Sequence, residues 1–63
     1  MIYLRDFIVA IDKRAPVSII TNFDWTVYSG ILGDATLDVI GKYLDRDIIY
    51  INSKDGVLVI EIN

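Results

Sequence analysis

From Asp47 to Ile62 the chain reads DIIYINSKDGVLVIEI. Two strongly β-forming runs, Ile48 to Asn52 and Val57 to Ile62, flank Ser53-Lys54-Asp55-Gly56. Asp-Gly between β-branched runs is among the strongest short-range signals for a β-hairpin. Alternation along a strand puts Ile49 and Ile51 on one side of the first run and Ile48 and Tyr50 on the other. In the second run Leu58, Ile60 and Ile62 share a face, opposite Val57, Val59 and Glu61. Neither side is plainly polar. A strand apolar on both faces calls for a cover on each.

An N-terminal helix can provide one cover. Between Tyr3 and Asp12 the residues Leu4, Phe7, Ile8 and Ile11 recur at helical spacing, with Arg5, Asp6 and Asp12 off that stripe. Lys13 and Arg14 suit the C-terminal end of the helix dipole, and Pro16 stops its continuation. The other cover comes from closure of the sheet into a barrel or from a second copy of the chain. With 63 residues and 54% hydrophobic content, one small core does not easily hide so much apolar surface, which favours a homo-oligomer.

Working outward from the hairpin, Val17 to Thr21 reads as a strand and Asn22-Phe23-Asp24 as a turn with Asx chemistry. Trp25 to Ser29 reads as the returning strand, ended by Gly30. Asp34 is a candidate cap for a helix over residues 35–43 that buries Leu37, Ile40 and Leu44. Gly41 weakens that helix, and one turn followed by an irregular segment is the alternative. The expected fold is a single α+β domain spanning residues 1–63. Its N-terminal helix packs on a small, twisted, antiparallel four-stranded sheet, with closure into an SH3-like barrel left open.

Composition narrows the chemistry. The chain has no cysteine and no histidine, which removes thiolate nucleophiles, disulfides, the commonest general base and the commonest transition-metal ligands. An enzyme is therefore not expected, nor a cofactor or metal. A net charge of −3 argues against nucleic acid as partner. No basic and apolar leader pattern follows Met1, and no apolar run approaches the roughly 18 residues of a membrane span, so a cytoplasmic location is expected.

The whole chain resembles a type of small accessory protein encoded by phages and conjugative elements of Gram-positive bacteria. The resemblance lies in the opening helix LRDFIVAID, the strand VSII, the step Tyr28-Ser29-Gly30, the junction Leu44-Asp45-Arg46 and the closing strand from Asp55-Gly56 to Ile62. It implies an accessory gene of a mobile element made in the host cytoplasm. Such proteins often look like inhibitors of host defences, binding a defence protein or sequestering a nucleotide signal. Phe23 and Trp25 depart from the pattern, which more often has small or polar turn residues there.

The residues singled out for binding follow from their chemistry. Asn22, Phe23, Asp24, Trp25 and Tyr28 place hydrogen-bonding groups beside aromatic faces, as a flat ligand or a protein interface requires. Arg14 and Arg46 can grip a phosphate or carboxylate, and symmetry could bring copies of either near Tyr43 or Trp25. Asp34, Asp38, Asp45 and Asp47 match no calcium-loop spacing. The leading expectation is a non-enzymatic binding protein that interferes with a host protein. The alternatives are an oligomeric sponge for a small anionic nucleotide, and a structural or assembly protein.

Overall fold

The computed structural model describes residues 2–21 and 25–63. The hairpin lies where the sequence puts it. Strands β3 (Ile48–Lys54) and β4 (Val57–Ile62) are joined by a turn of two residues, Asp55 at φ 53° and Gly56 at φ 80°. Positive φ at both positions defines the type I′ turn whose twist matches that of the flanking strands. Because the turn takes only Asp55-Gly56, Ser53 and Lys54 belong to β3.

Strands β1 (Pro16–Thr21) and β2 (Thr26–Ile31) form the second antiparallel pair. β2 starts after Trp25 and continues through Gly30 to Ile31, because Gly30 accommodates a φ of 146° without ending the strand. The expected Asn22-Phe23-Asp24 turn lies outside the described residues.

The sheet has the order β2-β1-β4-β3. The α+β class holds, with two differences from the sequence reading. The central pair β1 and β4 is parallel, Val17 facing Leu58 and Ile19 facing Ile60, so the sheet is mixed rather than wholly antiparallel. The sheet is also open, with β2 and β3 at its margins, so it is not an SH3-like barrel. β1 and β4 carry the most apolar inward faces, and pairing them centrally buries both.

The register puts Val17, Ile19 and Thr21 on the same face as Leu58, Ile60 and Ile62. Ile19, Ile60 and Ile62 are fully buried there with Leu4 and, nearly so, Ile40. Helix α1 (Leu4–Ile8) supplies Leu4, and the single turn α2 (Leu37–Ile40) supplies Ile40. Among the described residues the buried core forms on this face alone. On the other face Ser18, Ile20, Val57, Val59 and Glu61 are half-buried.

α1 is shorter than the expected span of Tyr3 to Asp12. Its first N–H groups find carbonyls outside the helix, Leu4 donating to Arg46 at 2.9 Å and Arg5 to Leu44 at 3.1 Å, which satisfies donors a helix start leaves open. At its other end Ala10 donates to Phe7 and Ile11 to Ile8 in the tighter three-residue pattern. Asp12 then accepts the Arg14 N–H at 2.9 Å and sets a turn in place of more helix.

The central connection follows the alternative reading. A 3₁₀ turn over Leu32–Asp34 precedes α2, and another over Gly41–Tyr43 follows it. Thr36, not Asp34, occupies the position before α2, and no side chain caps the turn. Of the three residues expected inside, Ile40 is buried and Leu44 half-buried, while Leu37 is 74% exposed because four helical residues are too few to turn it back onto the sheet.

Candidate binding site

Tyr43 and Arg46 meet on the turns that lead into β3. The Arg46 N–H donates to the Tyr43 carbonyl at 3.0 Å and the Arg46 carbonyl accepts the Leu4 N–H, so the backbone is held from both sides. The guanidinium carbon then lies 5.6 Å from the centre of the Tyr43 ring, and Lys42 Nζ lies 5.4 Å from it. Both are cation–π distances. Arg46 Nη1 also donates to the Asn63 carbonyl at 2.9 Å, which leaves the guanidinium further N–H donors for another group.

Trp25 stands at the same end of the sheet. Its carbonyl accepts the Thr21 N–H at 2.9 Å, and Thr21 faces Ile62, which faces Ile48. At about 4.8 Å per strand, Trp25 is roughly 10 Å from β4 across this end. Its side chain is 67% exposed, so it does not cover the core. The end of the sheet thus carries an exposed indole and a half-buried phenol with two cations on its ring.

The other sequence candidates lie elsewhere. Tyr28 faces Ile19 in the middle of the β1–β2 pair and donates its hydroxyl to the Ile31 carbonyl at 2.5 Å. Arg14 precedes Pro16, at the opposite end of β1, and is held by Asp12 through Nε at 3.2 Å and Nη2 at 3.0 Å. Within one chain it does not join Arg46. Asn22, Phe23 and Asp24 lie outside the described residues. Asp45 pairs with Arg5, and the described residues contain no group of three metal-ligating side chains.

Lys42 escaped the sequence reading. Its signal was adjacency to Tyr43 on a turn that also returns Arg46 three residues later, a spacing that puts side chains side by side. A separate cleft of about 270 Å³ is lined by Ile8, Val9, Lys13, Leu32, Ala35 and Ile40. It takes in none of the residues expected to bind, and it falls slightly below the usual size of a ligand pocket.

No protein-family model matches the chain, and no curated protein or solved structure matches it. Among the described residues no helix is long and apolar enough to cross a membrane.

Proposed function

We propose that this chain is a non-enzymatic binding protein of a phage or mobile element, acting as a homo-oligomer in the host cytoplasm and interfering with a host protein. The mobile-element origin and the host-defence target rest on the resemblance described above. The binding role rests on one observation, the exposure of Trp25 at the end of the sheet that also holds Tyr43 and Arg46. Trp, Tyr and Arg are the side chains that dominate protein–protein binding energy, since each offers a large rigid surface with a polar edge. A chain without histidine or cysteine has few groups for proton transfer or covalent chemistry, which fits a binding role.

The test is affinity capture from the host with wild type, Trp25→Ala and Arg46→Ala, alongside thermal melting of each. The expected result is one host protein retained by wild type and lost from both variants, with the melting temperature of Trp25→Ala unchanged. Equal retention by all three would overturn the proposal.

The two cations on the Tyr43 ring favour a second reading, in which this end takes up a small anionic nucleotide by stacking and charge. Native mass spectrometry of protein purified from its host separates the two readings. Added mass of a few hundred daltons, lost in Tyr43→Ala, supports the nucleotide, whereas a clean spectrum leaves protein binding.

A further inference from the structure

The four strands carry two charged side chains, Lys54 on β3 and Glu61 on β4. Both lie on the face away from α1 and α2. Cross-strand pairing sets Glu61 between Ile20 and Tyr50, and sets Lys54 beside Val57 at the turn end of the hairpin. Val59 stands midway between the two levels. Ile20, Val57, Val59 and Glu61 are half-buried and Tyr50 is 55% exposed, while the helices pack on the opposite face.

A carboxylate half-buried between an isoleucine and a tyrosine calls for a cation. Within the chain Glu61 has none, since the ion pairs among the described residues are Arg5 with Asp45 and Arg14 with Asp12. Lys54 shares the face but stands at the level of Val57, four residues from Glu61 and roughly 13 Å away at the rise of a strand. It too belongs to no ion pair among the described residues. Measured from Val59, the cation and the anion lie two residues away in opposite directions.

We propose that this face packs on the same face of a second copy, about a two-fold axis that lies between the two sheets and crosses the strands at Val59. The inference rests on the homo-oligomer of the proposed function and names its interface. Such an axis reverses strand direction, so the Lys54 end of each hairpin meets the Glu61 end of the other. Lys54 then stands over the second copy's Tyr50, one strand to the side of that copy's Glu61. With sheets about 10 Å apart and strands about 4.8 Å apart, the two Cα atoms are about 11 Å from each other, within the joint reach of a lysine and a glutamate. The ion pair forms twice, and Val59 meets Val59 at the centre. A two-fold running along the strands would leave each charge at its own level and the pair unmade, so the charges select the orientation. An apolar centre with charges at its border is the ordinary make-up of a protein interface, and self-complementarity is what a two-fold requires. A cation and an anion placed evenly about Val59 favour a second copy over a foreign surface.

The test is native mass spectrometry and sedimentation of wild type, Val59→Glu, Lys54→Glu and the double variant Lys54→Glu with Glu61→Lys. Wild type is expected as a dimer. Val59→Glu sets two carboxylates against each other at the axis and is expected as a monomer with unchanged far-UV circular dichroism. Lys54→Glu opposes like charges at both pairs and is expected to raise the dimer Kd about tenfold or more, and the double variant to recover most of that loss. An oligomer that Lys54→Glu leaves unchanged, or that the double variant fails to recover, overturns this interface and leaves the homo-oligomer standing. A wild type that stays monomeric at millimolar concentration overturns both. If Val59→Glu does not fold, the charge exchange decides by the same criterion.

Discussion

Asp12 accepts three hydrogen bonds from Arg14, one from its N–H and two from its guanidinium, so the cation that the sequence assigned to a helix dipole is held by a carboxylate two residues earlier. That pairing holds the Asp12 carboxyl below its ordinary value of 3.8, chiefly through the guanidinium bonds and then through the backbone bond. Because the folded-state value lies below the unfolded one, the contribution to stability is present above the ordinary value and is lost as pH falls through the folded value. Thermal melts of wild type and Asp12→Asn should therefore differ by a small amount at pH 7 and converge as pH falls well below 3.8. Both groups are fully exposed, so salt should shrink the difference. Two glycines give a sharper contrast. A methyl group at Gly33 would sit 2.9 Å from the Lys13 carbonyl, a backbone atom already bound by the Gly33 N–H at 2.7 Å. At Gly41 the backbone is helical, φ −55° and ψ −42°, and the nearest atom is Leu37 Cβ at 3.7 Å. Gly41→Ala should stabilise by about 0.4–1 kcal/mol by restricting the unfolded chain, and Gly33→Ala should destabilise; chemical denaturation measures both.

Among the elements, the hairpin was the most legible because its instructions are local: Asp55-Gly56 demands one turn type and the flanking runs demand strands. The turn gives a direct prediction. Gly56→Val places a β-branched residue at φ 80° and should cost at least about 1–2 kcal/mol in denaturant unfolding, with nothing nearby to clash and the backbone conformation as the sole cause. The helices were less legible because their ends are decided by partners remote in sequence. α1 starts on carbonyls of Leu44 and Arg46, and its C-terminal end yields to a turn made by Asp12. The same holds for the candidate site. Tyr43, Arg46 and Trp25 could be picked for their chemistry, but that Trp25 lies at the same end of the sheet as Arg46 depends on Thr21 facing Ile62, and Arg14 was separated from them by the length of β1. Lys42 was missed because an isolated lysine carries no signal until a turn brings it over a ring.

At the scale of the whole molecule, stability is concentrated where β1 meets β4. That parallel pairing joins Val17 to Leu58 across most of the chain, and no local pattern announces it. The two apolar faces of the C-terminal hairpin were legible, and the structure divides them: one packs on α1 and α2, while on the other Val57, Val59 and Glu61 are half-buried and Tyr50 is exposed. Ile19 and Ile60 face each other with no exposure at all. Ile60→Ala removes three methyl-sized groups from that contact at a cost of about 2–5 kcal/mol. A domain of this length holds about 3–9 kcal/mol in total, so the variant should be largely unfolded at 37 °C by circular dichroism. Hydrogen exchange resolves the same distribution residue by residue. Amides of Ile19 and Ile60 lie in the central strands and should exchange only on global opening, while those of the β2 margin exchange through local fraying.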